Sequence, residues 1–423
     1  MIRIVTFTIL FLVLLLNKNY EGLSQSNEER DFSFTGIHKP YLLSNHPLGM
    51  LISRIDYNFS IQPPKKIQIN IGIHNGNVWQ PLVKAYKPRE PLTRAYMEKF
   101  IWYDREANFD LQTMPSDSIQ YHADAVIRAF PADLRFRLAD HHEINFRIRS
   151  FLITPGKMPF STFTSDQLLE WFHSNIAGGE DPFARKYYGY NKADITYIDE
   201  HGESIKLKAG NFLIPGMELH YYYYPDINLT GIKEFYMNFG THAGANISRH
   251  NRSVDLGLSA SALKKISLYD HQNLIFGFGL GFLKQGVLKY GDHVHIMNNH
   301  FLYSFEGEIT FRKWINEDSH YSFGLNYHYQ NPYNRKEEFK YIVLTGNRVT
   351  THWHYAMTHL YTSLQSWSLI FSYSGKRTFL VYFSEDLKVN NAPDIQTGIE
   401  IRIPLKEWNL ESPPKSKKIW ECH

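Results

Sequence analysis

From about residue 49 onward the apolar residues of this chain fall at every second position, in one stretch after another. Ile67, Ile69, Ile71 and Ile73 alternate with Gln68, Asn70, Gly72 and His74. Ile144, Phe146, Ile148 and Leu152 alternate with Asn145, Arg147 and Arg149. The pattern returns at Val254–Ser261, at Leu274–Phe282 with Gly277, Gly279 and Gly281 between the large residues, and at Phe301–Phe311. It recurs at Tyr321–Tyr329 and, last, at Ile395–Ile403. A period of two places successive side chains on opposite faces of a strand, so the chain is predicted to be all-β. Aromatic residues make up 15% of the 423 residues, while the mean hydropathy is only −0.38, which suits alternating strands better than a helical bundle.

Two all-β architectures alternate in this way. In a soluble sandwich the apolar faces meet in a dry core; in a transmembrane barrel they face lipid and the polar faces line a lumen. Here the polar faces carry glycines and ion-forming side chains, the strands run to about 9–11 residues, and turns such as Ala139–His142 and Ile315–Asp318 are short. These features predict an antiparallel transmembrane barrel of roughly 12 strands over residues 49–405, with Asp124, Arg147, Arg149, Glu306, Glu308, Glu400 and Arg402 lining the lumen. The alternative is a periplasmic or secreted all-β binding protein.

The beginning of the chain agrees with export. Met1–Arg3 is a short basic start, and Ile4–Leu16 is an apolar run too short to span a bilayer as a helix. Gly22 and Ser24 have the spacing of a signal-peptidase site, so residues 1–24 read as a cleaved signal peptide and 25–48 as an N-terminal segment. After Leu16 no apolar run approaches the length of a membrane helix, which leaves a closed sheet as the only way to satisfy every backbone group in lipid. The single cysteine, Cys422, excludes a disulfide framework, and 45 basic against 42 acidic residues give no nucleic-acid signature.

Two stretches, 79–116 and 155–215, interrupt the alternation and are predicted to be long loops, the first of them a candidate plug. The second holds a predicted short helix, with Ser165 as its N-cap before Leu168, Leu169, Phe172 and Ile176, and a hairpin around His201-Gly202. Residues 406–423 form a polar tail. Glu170 and His173, three apart on the helix, with Arg185 beyond, offer a carboxylate–imidazole–guanidinium set, although a polar helix face explains them as well. His352 and His354 have ligand-like spacing if extended, but with 21 histidines such pairs arise by chance, and no metal or other cofactor is expected. No G-x-S-x-G, P-loop or H-E-x-x-H motif occurs.

Ser44-Asn-His-Pro-Leu48, the stretch from Leu169-Glu-Trp-Phe-His173 to Arg185, and Ser384-Glu-Asp386 with Ala392-Pro-Asp394 give the chain a likeness. It resembles a family of Gram-negative outer-membrane proteins of unknown function. The resemblance implies an outer-membrane barrel and no particular activity. The functional expectation is a pore or a transport barrel for a small solute or lipid, in contact with outer-membrane lipid. An outer-membrane lipid hydrolase is the alternative built on Glu170, His173 and Arg185.

Overall fold

The computed structural model describes residues 36–43, 46–156, 163–177, 185–226, 233–269, 271–291, 294–346, 355–386 and 395–407. The predicted signal peptide, the tail beyond Glu407, and His352 and His354 lie outside them. The described strands join one 16-stranded sheet. The first three are β1 (Lys66–Pro88), β2 (Ser116–Ala129) and β3 (Ala132–Ala139), followed by β4 (His142–Thr154), β5 (Asp194–Ile198) and β6 (Ser204–Lys208). Then come β7 (Phe212–Tyr223), β8 (Phe235–Ser248), β9 (Asn251–Ser267), β10 (Gln272–Lys289) and β11 (Phe301–Asn316). The last are β12 (Ser319–Gln330), β13 (Val343–Gly346), β14 (Leu364–Ser374), β15 (Thr378–Glu385) and β16 (Ile395–Glu407).

Twelve of these strands close a ring of antiparallel neighbours. The closing strand is β1, which meets β16 through Asn70↔Arg402 and Ile71↔Ile401 and, on its other side, β3 through Asn70↔Asp133. The expected strand number and the all-antiparallel order are therefore those observed. Turns at one end are short, as at Asp140–His141 and Glu317–Asp318, and most connections at the other end are long.

The faces of the wall are inverted relative to a soluble protein. Leu258, Leu369 and Ile399 point outward with more than 60% of their surface exposed, while Glu143, Asn145, Glu308, Asn326 and Glu400 point inward and are at most 3% exposed. An apolar belt outside and a polar wall inside is the arrangement of a barrel in lipid. Cross-strand aromatic contacts build part of the belt: Phe305 stacks on Tyr329 at 4.8 Å, Tyr327 meets Trp367 at 4.7 Å and Phe323 meets Phe371 at 5.1 Å between ring centroids.

Both predicted loops need correction at their edges. Residues 79–88 are not loop: β1 runs on to Pro88 and pairs there with β2 and with β13. A register shift between Gln80 and Val83 breaks the strict alternation, which is what hid the strand. Likewise Phe212–Pro215 opens β7. Beyond the closed ring, the end of β1 with β2, β13 and the β5–β6 hairpin forms a cap at the long-loop end, built on Val83, Ala85, Ile119, Tyr121, Tyr197 and Leu344. The predicted helix is present as α1 (Asp166–Phe172), with Ser165 Oγ accepting from the N–H of Leu168 at 3.3 Å.

Candidate functional site

The lumen is filled by the chain's own N-terminal segment. Residues 36–43 climb from the short-turn end, a 3-10 turn over Pro47–Leu51 reverses the direction near the cap, and residues 52–64 descend to the start of β1. At the foot the two arms join, Ile37 N–H donating to the Phe59 carbonyl at 2.9 Å. The barrel therefore starts at Lys66 rather than at residue 49, and the described residues that fill the lumen are 36–43 and 46–64 rather than 79–116.

The descending arm shows why its sequence alternates although it belongs to no strand. Ile55, Tyr57 and Phe59 face β10, where Gly277, Gly279 and Gly281 leave room. A Cβ added at Gly277 would stand 2.6 Å from Ile37 Cδ1, one at Gly279 2.6 Å from Tyr57 Cδ1, and one at Gly281 2.8 Å from Ile55 Cδ1. Asp56, Asn58 and Ser60 point the other way, toward the charged side chains of β3 and β4. Asp56 binds Lys39 at 2.7 Å and Arg147 at 3.1 Å, and Arg147 also binds Asp133 at 2.6 Å. Lower down, Asn58 donates to Glu143 at 3.1 Å, and Arg135 donates to Ser60 Oγ at 3.1 Å.

Near the top of the plug the anchors are backbone groups. Arg149 donates to the carbonyls of Met50 at 3.0 Å and Ile52 at 2.6 Å, and pairs with Glu218 at 3.2 Å. Arg54 N–H donates to Glu218 at 2.9 Å, and Leu43 N–H donates to Gln396 at 2.9 Å. Leu43, Leu48, Met50 and Leu51 then pack into the apolar core of the cap. The plug thus has an apolar crown and a two-faced stem, apolar toward β10 through Ile37, Ile55, Tyr57 and Phe59 and polar toward β3 and β4. Beside the stem the lumen retains a cavity of about 80 Å³ lined by Lys39, Asp56, Asp133, Arg147 and Glu400, among others. That is room for several waters among polar partners.

Of the predicted lumen residues, Arg147, Arg149, Glu306, Glu308, Glu400 and Arg402 face this interior. Glu306 reaches Lys39 of the plug at 3.6 Å and accepts from Asn326 at 2.7 Å, as Glu308 does at 3.1 Å. Glu400 accepts from Asn70 at 3.0 Å and lies 3.9 Å from Arg402. Asp124 stands apart. It sits on the face of β2 opposite Tyr121 and Ala123 and accepts from Arg185 at 2.8 Å.

Arg185 is committed to that contact. Its guanidinium also donates to Asp166 at 2.6 Å and lies over the Trp79 ring at 5.1 Å, so it fastens α1 to the outside of the cap. Burial raises the Asp124 carboxyl above the ordinary carboxylate range, and the neighbouring Arg185 cation opposes that rise. Glu170 is buried on the same helix, while the side chain of His173 lies outside the described residues. The structure therefore places Arg185 in an ion-paired clamp with Asp124 and Asp166. The plug partners Lys39, Ser53, Arg54 and Asp56 were not singled out from sequence. The signal available was the Ile55–Ile61 alternation followed by Pro63-Pro64, a strand-like stretch too short to cross with β1.

No protein-family model and no curated protein matches the chain. Among solved structures, an outer membrane channel from Pseudomonas putida F1 is similar at 8% identity and a TM-score of 0.36, over 83% of this chain and 100% of that one. LpxR from Salmonella typhimurium is similar at 7% identity and a TM-score of 0.34, over 80% and 100%. The P. putida toluene transporter TodX follows at 9% identity and a TM-score of 0.24, over 80% and 88%. All are β-barrel likenesses, they identify no family, and no residue role passes from them to this chain.

Proposed function

We propose that this protein is an outer-membrane barrel, exported by its N-terminal signal, that serves as a conduit for a small solute and is held closed by residues 36–64. The observation that carries the reading is the polar face of the stem and the charged wall it meets. A barrel meant only to be solid gains most by filling its interior with apolar side chains, since buried ion pairs offer little stability over a well-packed apolar core. Here the wall that meets the polar face of the stem carries Asp133, Arg135, Glu143, Arg147, Glu218, Glu306 and Glu400. Such a wall stays compatible with water once the stem moves away, as a lipid-facing or sandwich core would not. The apolar belt supports membrane lipid as the surrounding partner.

Planar-bilayer recording on the reconstituted protein tests this. Wild type is expected to stay closed with rare openings, and deletion of residues 36–62 to give a steady conductance. A Ser53→Cys/Asn246→Cys pair, whose native side chains are 3.2 Å apart, would after cross-linking abolish the wild-type openings. A plug-deleted barrel that keeps heat-modifiable gel migration yet carries no current, together with an unchanged cross-linked protein, would overturn the proposal.

A further inference from the structure

At the long-loop end the β5–β6 hairpin turns through Asp199–Glu203, with Gly202 at φ +85°, a conformation glycine adopts without strain. Asp199 is 2% exposed and organises the turn. Its Oδ1 accepts from the N–H groups of His201 and Glu203, both at 2.9 Å, and its Oδ2 accepts from the N–H of His295 at 2.7 Å. Tyr197 of the same hairpin donates to the His295 carbonyl at 2.8 Å. The peptide of His295, which belongs to the distant connection between β10 and β11, is thus gripped on both sides by the hairpin.

The grip brings three donor side chains together. Glu200 Oε1 lies 2.8 Å from His295 Nδ1 and 3.9 Å from His201 Nε2. One ligand atom from each of the three residues falls within 4.8 Å of the others. A tetrahedral ion with bonds of about 2.0–2.2 Å needs ligand atoms roughly 3.3–3.5 Å apart, which small side-chain rotations from these positions reach. The second carboxylate oxygen of Glu200 is held by Lys87 at 3.1 Å, and Lys87 is held in turn by Glu338 at 3.3 Å. Those contacts orient the carboxylate and leave Oε1 turned to the imidazoles, as outer partners do in metal sites. His201 is exposed, which gives solvent access to the cluster.

We propose that Glu200, His201 and His295 form a binding site for a divalent transition metal of the zinc class, with the fourth position taken by water. Two imidazoles and a carboxylate are a donor set suited to such ions. The bound ion would fasten the hairpin to the segment around His295. The proposal is independent of the plug, and its test does not depend on conductance.

The untagged full-length protein, purified in detergent and stripped with a chelator, would be titrated with Zn²⁺ against a chromophoric competitor at pH 7.5. One equivalent is expected to bind, with His201→Ala, His295→Ala and Glu200→Gln each weakening it at least tenfold. Asp199→Asn, which removes no ligand, should weaken it about 10- to 100-fold as an outer partner does. His122→Ala, elsewhere on the cap, should leave it unchanged. Heat-modifiable migration identifies the variants that have folded. Absence of saturable binding to wild type, or binding that survives in folded His201→Ala and His295→Ala proteins, would overturn the proposal.

Discussion

Gly279 contributes to the lumen by having no side chain. Tyr57 occupies the space its Cβ would need, and the Tyr57 hydroxyl continues on to Ser304 of the neighbouring strand. Gly279→Val should therefore cost about 1–3 kcal/mol by overpacking, with the plug rather than the wall giving way. The measurement is a denaturant midpoint in detergent beside a current recording; a variant with lower stability and no added leak would show that the wall yields instead. Arg185 is the opposite case, a residue whose charge is needed. Arg185→Ala leaves Asp124 and Asp166 buried without their cation, a loss of about 3–5 kcal/mol when a buried pair is broken. The loss is expected to be local: limited proteolysis should cut near residues 163–190 while the barrel keeps its heat-modifiable migration.

At the scale of elements, the plug is two arms with different attachments. Its crown shares an apolar core with the cap, whereas its stem is held by pairs such as Lys39–Asp56–Arg147. Asp56→Ala removes the carboxylate that Lys39 and Arg147 share, leaving Lys39 its 3.6 Å contact with Glu306 and Arg147 its pair with Asp133 on the wall. Hydrogen exchange should then rise at Tyr57–Ser60 well before it rises at Leu48–Leu51, and openings in bilayers should become more frequent. Equal exchange along the whole segment would mean that the plug moves as one body. The β1 strand teaches a related point. Its lower half alternates cleanly, while residues 74–78 are buried on both faces and a register shift follows between Gln80 and Val83, beyond which buried Val83 and Ala85 alternate with exposed Leu82 and Lys84 in a new phase.

The barrel wall of the molecule is inside-out, and one substitution on its surface separates the two all-β architectures. Leu369 is 63% exposed on the outer belt. Leu369→Arg in a soluble sandwich would be nearly silent at an exposed position; in a lipid-embedded barrel it costs about 2–4 kcal/mol near the midplane and less toward the rims. Unfolding of the variant in lipid vesicles measures the difference, and fractionation of the expressed protein with the outer membrane is the companion observation.

What the amino-acid order determined by itself was whatever depends on neighbours along the chain: the strands, their two unlike faces, the short turns, the helix capped by Ser165, and the inward direction of Arg147, Glu306 and Glu400. A strand displays its two faces locally, so a period of two is readable without knowing what lies opposite. Only the tertiary structure decided what fills the lumen. His38 meets Ser374, 336 positions away, and Leu43 meets Gln396, 353 positions away, and no local pattern encodes such pairs. The same holds for Glu200, His201 and His295, which look like scattered polar residues until Asp199 binds the two segments together. The glycine row of β10 was visible as a small lumen face, but its reason, the ring of Tyr57 beside it, exists only once the N-terminal segment has folded back inside the wall.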